Sequence, residues 1–182
     1  MAKQVRTVYG SALFAAALDS GRLSEVREQA EVIITALSEN PEFLRLLTHP
    51  EITLTEKHEM VDAVFMGTAD TLIHGTIVAL LEKEHGLEIG NVLERFVDLA
   101  LEEEKIGVAY VSSAVALTED QKERIRRKLL DTTSYTDMRV NYEVDPSLIG
   151  GLVIRLGDRV VDSSLSSQLD SLKHSLLAGA ME

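Results

Sequence analysis

The stretch that decides the fold runs from Asp145 to Leu176 and reads DPSLIGGLVIRLGDRVVDSSLSSQLDSLKHSL. Its Asp145-Pro146 step interrupts the preceding element, because proline fixes φ and lacks an amide donor. Gly150-Gly151 permits backbone dihedrals that a Cβ would forbid. The apolar run Leu152–Leu156 and the glycine-first turn at Gly157-Asp158 predict a β-hairpin whose second strand returns antiparallel over residues 159–162.

A helix is predicted to follow this hairpin. Asp162, Ser163 and Ser164 offer side chains for its N-cap. Its leucines recur at four-three-four spacing and define one apolar face: Leu165, Leu169, Leu172 and Leu176. The whole stretch carries no reactive constellation, so it indicates a packing motif and directs the question of function towards binding.

The composition of the chain limits the possible classes of protein and of binding partner. The 182 residues are sufficient for one large domain or two small ones, and an apolar content of 45% can supply a core. The net charge of −12 argues against nucleic acid or an anionic lipid surface as the main partner. The absence of cysteine from the sequence excludes a disulfide framework and a thiolate metal site.

The N-terminal residues predict a folded amphipathic helix with no targeting segment. One face of this helix is expected to carry Val5, Val8, Ala12, Leu13 and Ala16. Nothing elsewhere approaches the roughly 20 apolar residues that span a bilayer. We therefore expect a soluble chain that does not insert directly into a membrane.

The first hundred residues predict an all-α bundle of six helices with short connections. Helix one is expected over residues 3–19 and helix two from Leu23 to Asn40-Pro41, where Asn40 is the predicted N-cap of helix three. Thr53 and Glu56 form a capping-box pair for helix four. Helix five is expected to end at Gly86 and helix six to end in the acidic run at residues 102–104.

After Gly107 the hydrophobic period changes from helical to alternating. A strand is predicted over residues 108–117, a capped helix from Thr118 to about Leu130, and a half-buried strand over Met138–Val144. With the hairpin and final helix, these elements predict a smaller α+β domain with a mixed or antiparallel sheet and two helices. We therefore divide the chain into domains 1–105 and 106–182.

No catalytic, cofactor or metal site is predicted. His58-Glu59 lacks the second histidine that a zincin helix needs, since Asp62 stands in its place. Gly150-Gly151 opens a strand and has neither of the phosphate-loop spacings, and the serines at 163–167 lack a nucleophile elbow. The predicted helix at 118–130 carries a basic cluster, for which a solvated face is favoured and an acidic protein partner stays open: Lys122, Arg124, Arg126, Arg127 and Lys128.

Several of these residues resemble the delta subunit of F-type ATP synthases, called OSCP in mitochondria. Ile149-Gly150-Gly151 and Gly157-Asp158 are similar to the strand and turn of that family's C-terminal pattern, although Ser163 stands where the family has glycine. The segment from Tyr9 to Phe14, YGSALF, resembles the family's Tyr-Ala-x-Ala-Leu-Phe start. The resemblance extends over nearly the whole chain.

The resemblance implies a non-catalytic stator subunit that couples proton or sodium flow to ATP synthesis. Family members place an N-terminal six-helix domain on the N-terminal helices of the alpha subunits. Their C-terminal domain holds the C-terminal ends of the b subunits of the peripheral stalk. One copy is then expected in a hetero-oligomeric complex, peripheral to the cell membrane on its cytoplasmic side, with no cofactor and no nucleic acid.

Contact residues are predicted on both domains. A groove between helices one and five is expected to accept an amphipathic helix through helix-in-groove binding; its predicted contacts are Tyr9, Ala12, Leu13, Ala16, Ile77 and Leu80. The contact with b is predicted on the face formed by Leu165, Leu169, Leu172 and Leu176. The alternative function is a helix-docking adaptor or regulatory protein of another complex, and copurification with alpha and b subunits would discriminate the two.

Overall fold

The computed structural model describes residues 2–67, 69–165 and 167–169. The chain divides into two compact units, Met1–Glu104 and Lys105–Glu182, which we call the N-terminal unit and the C-terminal unit. The first is helical and the second combines helix and sheet. The prediction of a helical part followed by a smaller α+β part is therefore confirmed.

In the described part of the N-terminal unit the helical segments are α-helices joined by short turns, with a short 3-10 turn at Gly86–Glu88. The α-helices are α1 (Ala2–Asp19), α2 (Leu23–Glu39), α3 (Pro41–Leu47), α4 (Leu54–Phe65), α5 (Thr71–Glu82) and α6 (Ile89–Glu103).

Side-chain caps explain where several helices begin. Thr53 accepts a hydrogen bond from the Glu56 amide while the Glu56 carboxylate accepts one from the Thr53 amide, so the predicted capping box of α4 is present. Asp70 caps α5 by accepting a hydrogen bond from Leu72 N–H at 2.8 Å. Asn40 occupies the predicted N-cap position of α3, but its side chain makes no capping hydrogen bond there: its Nδ2 donates instead to the Ala36 carbonyl at the end of α2.

The core of the N-terminal unit lies where α1, α2, α5 and α6 meet. Phe96, Ile73 and Leu80 are fully buried there. Gly10 lets α1 approach α6 closely, since a Cβ at this position would lie 2.9 Å from Cγ of Arg95. This apolar burial is the main source of stability for helices of such length.

The C-terminal unit is built on a four-stranded mixed sheet in its described residues, with strand order β2-β1-β3-β4. The strands are β1 (Ile106–Ser113), β2 (Asp137–Val144), β3 (Leu152–Leu156) and β4 (Arg159–Asp162). β1 and β2 pair in parallel, while β3 pairs antiparallel with both β1 and β4. Strand β1 begins earlier than predicted, at Ile106. It also ends earlier than predicted, because the chain leaves the sheet after Ser113.

The crossover between the parallel strands is α7 (Glu119–Thr132), which begins at the predicted Thr118–Gln121 capping box. It packs on the sheet face that carries Ala109, Val111 and Met138, which are the buried apolar side chains among the described residues of this unit. Arg126 reinforces the contact, since its Nε donates to the Met138 carbonyl at 3.2 Å.

The predicted hairpin is present and is connected to the residues that follow it. Gly157, at φ 55°, opens the turn between β3 and β4, and Leu156 pairs with Arg159. Ser163 N–H donates to the Leu152 carbonyl and Leu165 N–H to the Gly150 carbonyl, both at 2.9 Å. These two hydrogen bonds hold the backbone of residues 163–165 against Gly150 and Gly151. Helical structure follows at residues 165 and 167–169.

Candidate partner-binding surfaces

Helix α1 exposes apolar side chains on the side opposite the core. Leu13 and Ala17 are buried, and Tyr9 and Phe14 pack partly against the core. Val8, in contrast, is 58% exposed. The predicted apolar face of α1 was therefore partly wrong: Val8 and Ala12, one turn apart, lie on the exposed side. These two residues form a short apolar strip on the solvent side of a surface helix.

Helix α5 is a packing neighbour of α1. Ile73, Ile77 and Leu80 point into the core, while Gly75 is exposed. Nothing lies within 4 Å of a Cβ built at Gly75, so the surface of α5 is open at this point. The exposed side of α1 thus includes the small residue Ala12, and that of α5 includes Gly75.

The structure places the six predicted groove residues at three different depths. Leu13, Ile77 and Leu80 belong to the buried core. Tyr9 and Ala16 are half-buried, and Ala12 is exposed. The first three residues therefore support α1 and α5 from beneath, and Ala12 is the predicted contact that a partner could reach without any rearrangement.

Arg27 is a buried charged residue that joins α2 to the end of α6 and was not predicted from the sequence. Its side chain is held among carboxylates with only 3% of the residue exposed. Nε donates to Glu104 Oε2 at 2.6 Å, and one terminal nitrogen donates to Glu31 Oε1 at 3.0 Å. Burial acts to lower the pKa of Arg27, but the hydrogen bonds and charges of Glu104 and Glu31 together raise it above its ordinary value.

The apolar pattern of α2 could have predicted that Arg27 is buried. Leu23, Val26, Ala30 and Ile33 are buried along one side of that helix, and position 27 falls on the same side at i, i+4 spacing from Leu23. A charged residue at a core position needs a charged partner. Such a position in an apolar stripe therefore predicts an ion pair even when the partner cannot be named.

A second polar contact lies on the N-terminal side of α5. Arg22 forms an ion pair with Asp70, whose backbone N–H also donates to Gln29 Oε1 at 2.6 Å. Asp70 is buried and caps α5 at the same time. The N-terminal half of α2 therefore holds both the start of α5 and the end of α6, which stabilises the helices that neighbour the α1 surface.

His58 lies on α4 and His74 lies on α5. His74 Nε2 is 2.7 Å from Asp62 Oδ1, which joins α5 to α4. His58 Nε2 is buried and has no hydrogen-bond partner. Across the described residues, no group of three or more His, Cys, Asp or Glu side chains is arranged to hold a metal ion.

The predicted leucine face of the C-terminal unit lies partly outside the described residues. Leu165 and Leu169 are exposed, whereas Leu172 and Leu176 lie beyond the residues that the structure describes. The start of the helical segment is capped as predicted, since Ser164 Oγ accepts a hydrogen bond from Ser167 N–H at 3.3 Å. The leucine contact with b therefore stays a prediction.

The basic helix α7 is balanced by nearby carboxylates. Lys122 pairs with Glu119 at 2.7 Å, and Arg126 with Asp137 at 2.7 Å. The backbone N–H of Met138 and then the Arg126 guanidinium lower the pKa of Asp137. This arrangement fits the solvated face favoured from the sequence.

Comparison with known proteins identifies the family. A model of the family "ATP synthase delta (OSCP) subunit" matches residues 5–176. The ATP synthase subunit delta of Lachnoclostridium phytofermentans is 43% identical over 176 residues, with 97% of each chain covered. That of Halalkalibacterium halodurans is 34% identical over 171 residues, covering 94% of this chain and 93% of the relative.

The fold is also found in a solved structure. A chain in the Toxoplasma gondii mitochondrial ATP synthase hexamer superposes with a TM-score of 0.74 at 22% identity, covering 94% of this chain and 97% of that chain. This likeness shows a shared fold. Among the described residues, no helix is long and apolar enough to cross a membrane.

The family match extends across both units, and the relatives are covered over almost their entire length. It confirms the resemblance drawn from the Ile149-Gly150-Gly151 and Tyr9–Phe14 motifs. The chain belongs to the ATP synthase delta (OSCP) subunit family, and its function is that of a stator subunit of the ATP synthase.

Proposed function

We propose that this chain is a non-catalytic linker of the ATP synthase stator, in which each unit is a separate binding domain. The N-terminal unit holds the alpha subunits of the catalytic head, and the C-terminal unit holds the b subunits of the stalk. The observation that carries the proposal is the family match, which includes both units in one alignment of residues 5–176.

The six α-helices of the N-terminal unit act in this proposal as one bundle that binds the N-terminal helix of an alpha subunit. The binding surface is the groove between α1 and α5. The exposed strip of Val8 and Ala12 and the open position at Gly75 support this location. An amphipathic helix laid there would cover the apolar strip while its polar side faces water.

Binding of a peptide with the N-terminal sequence of the cognate alpha subunit tests the groove. Ala12→Trp places a bulky side chain on the exposed strip, and we expect it to weaken binding at least about tenfold, or about 1.4 kcal/mol. Ala63→Trp is the matched control, because Ala63 is also an exposed alanine in a helix. Equal affinity of wild type and Ala12→Trp would remove the groove assignment.

The stator role as a whole is tested by reconstitution. Membranes stripped of this subunit are expected to recover binding of the catalytic head, and ATP-driven proton or sodium pumping, when the protein is returned. The isolated chain is expected to show no ATP hydrolysis of its own. Recovery of pumping by the N-terminal unit alone would contradict the two-ended linker.

The proposal also places the subunit at the cytoplasmic face of the cell membrane as a peripheral member of the complex, in one copy. Fractionation tests this location: the chain should sediment with membranes that carry the complex and be released together with the head by low-salt washing. Release with a stoichiometry other than one per head would contradict the single copy.

A further inference from the structure

Helix α6 ends where the C-terminal unit begins. Glu103 is its last residue, Glu104 follows as its C-cap, and the C-terminal unit starts at Lys105. Strand β1 then begins at Ile106, so the chain has only Glu104 and Lys105 between the helix and the strand. A force that acts on the C-terminal unit therefore reaches the last turn of α6 through the chain at Lys105.

The side chain of Glu104 binds to α2, which is far away in the sequence. Its Oε2 accepts a hydrogen bond from Nε of Arg27 at 2.6 Å, a short distance that is typical of charge-assisted hydrogen bonds. Only 4% of the Arg27 side chain and 20% of the Glu104 side chain are exposed, so water and salt screen this pair less than a surface pair. The pair thus attaches the C-cap of α6 to the buried side of α2.

Arg27 is held in place by residues of its own helix. One terminal nitrogen donates to Glu31 Oε1 at 3.0 Å, and the other donates to Ser24 Oγ at 3.4 Å and lies 3.7 Å from Glu28 Oε1. All three partners lie within four residues of Arg27 on α2. The guanidinium is therefore oriented before Glu104 binds, and a group that is already oriented loses little conformational entropy on binding.

The stability of the fold does not by itself explain a charged pair at this place. Position 27 lies among the buried apolar residues of α2, next to Val26 and one turn before Ala30. A buried ion pair is often no more stabilising than apolar side chains of the same volume, because both charges lose their hydration. Separating the pair is costly, however, since the guanidinium loses its shortest hydrogen bond and stays buried. The pair therefore resists displacement of the end of α6.

We propose that Arg27 and Glu104 form a latch, in which α2 holds the last turn of α6 when the chain is under load at Lys105. This inference rests on the proposed function, because a subunit bound to the head by one unit and to the stalk by the other is loaded where the chain passes between the units. It goes beyond that function by naming the residue pair that keeps α6 intact under load. Arg27 is a positioning residue, since it acts through Glu104.

ATP-driven ion pumping into vesicles tests the latch, with the wild-type chain or a variant supplied to ATP synthase complexes that lack this subunit. The initial ion uptake per ATP hydrolysed measures coupling without an opposing gradient, and the final gradient measures coupling under load. Glu104→Gln keeps the size of the side chain and removes its charge. We expect an unchanged initial ratio and a reduced final gradient; an initial ratio that falls as much as the final gradient would overturn the latch.

Hydrogen exchange in the free full-length chain gives a second readout at the latch itself. The Glu104 N–H donates to the Ala100 carbonyl at 2.9 Å. In Glu104→Gln this amide should exchange at least about tenfold faster, because a hydrogen bond between charged groups no longer opposes local opening. An unchanged exchange rate would overturn the latch.

Asp70→Asn is the matched control. It also exchanges a carboxylate for an amide and removes another ion pair of the N-terminal unit, that of Arg22 with Asp70, while asparagine can still cap α5. Asp70 lies at the start of α5 and not on α6, so the initial ratio and the final gradient should both match those of wild type. An equal loss of the final gradient in Glu104→Gln and Asp70→Asn would overturn the latch.

The double variant Arg27→Met, Glu104→Gln separates the latch from stability. It replaces the buried pair by neutral side chains, so its melting temperature should stay close to that of wild type, while its final gradient should be as small as that of Glu104→Gln. A wild-type final gradient in both variants would overturn the latch and leave the proposed function standing. Failure of the wild-type chain to restore pumping would overturn the proposed function together with this inference.

Discussion

Replacing Gly151 by alanine is expected to destabilise the C-terminal unit while the stability of the N-terminal unit stays unchanged. Gly151 has φ 84°, and a Cβ there would overlap the carbonyl oxygen of Ser163 and lie 2.9 Å from Cα of Ser164. Both atoms belong to backbone, so no side chain can rotate away. The chain that crosses beneath Gly151 would have to move.

Three contributions determine how much Gly151→Ala lowers the free energy of unfolding of the C-terminal unit. Alanine at positive φ costs about 1–2 kcal/mol. Displacing the crossing segment weakens the hydrogen bonds from Ser163 N–H to Leu152 and from Leu165 N–H to Gly150, each worth about 1 kcal/mol. Reduced freedom of the unfolded chain returns about 0.4–1 kcal/mol. The net loss is about 2–3 kcal/mol, a large share of the stability of a unit with so small a core.

Two spectroscopic probes separate the units during urea unfolding. Tyr110, Tyr135 and Tyr142 lie in the C-terminal unit and only Tyr9 lies in the other, so near-ultraviolet circular dichroism reports mainly on the C-terminal unit. Far-ultraviolet circular dichroism reports mainly on the helices of the N-terminal unit. The tyrosine transition should move to lower urea, and the main helical transition should not.

Gly157→Ala is the control for Gly151→Ala. Gly157 also has positive φ, at 55°, but nothing lies within 4 Å of a Cβ built there. It should therefore show only the conformational cost of about 1 kcal/mol. Equal shifts of the tyrosine transition in the two variants would refute the close approach of Ser163 to Gly151.

Three further predictions concern single residues. Arg27→Ala should lower the free energy of unfolding of the N-terminal unit by about 3 kcal/mol, because it leaves Glu104 and its neighbours without their buried partner; urea unfolding followed at 222 nm measures it. Gly75→Ala should stabilise α5 by about 0.4–1 kcal/mol, since no atom lies near the added methyl group, whereas Gly10→Ala should destabilise at the α1–α6 contact, and thermal melts compare the two. Hydrogen bonds from Ser167 and then Ser164 lower the pKa of Asp162 in the folded state, so its stabilising contribution is present above the unfolded pKa of about 3.9 and is lost as pH falls through the folded value; unfolding of wild type and Asp162→Asn should therefore converge in acid.

Local rules predicted the elements of this chain well. The capping boxes at Thr53 and Thr118 and the hairpin turn at Gly157 depend on residues a few positions apart, and all three are present as predicted. The end of β1 was placed too late, because an apolar run continues in the sequence after Ser113 although its partner strands end there. Asn40 was placed correctly at the start of α3, but its side chain bonds the Ala36 carbonyl of α2, because one side chain can serve either of two adjoining helices.

The candidate sites were predicted less well, because exposure depends on contacts between elements far apart in sequence. Leu13 and Ile77 look like groove residues when α1 and α5 are considered alone, yet the packing of α2 and α6 buries them. Val8 lay on the predicted apolar face and is exposed. A single-sequence pattern shows which residues are apolar but not whether the same chain or a partner covers them.

The backbone conformation of the motif Ile149-Gly150-Gly151 could also not be predicted in full from the sequence. Glycine is required at these two positions for different reasons. Gly151 takes a positive φ, whereas Gly150 leaves space for Leu165, whose Cδ1 would lie 2.8 Å from an added Cβ. The reason given for Gly151 holds at position 149 as well, yet the residue there is isoleucine, with φ 63°. Stability alone would place glycine at position 149. The local conformation of the described residues therefore gives no reason for an isoleucine at this position.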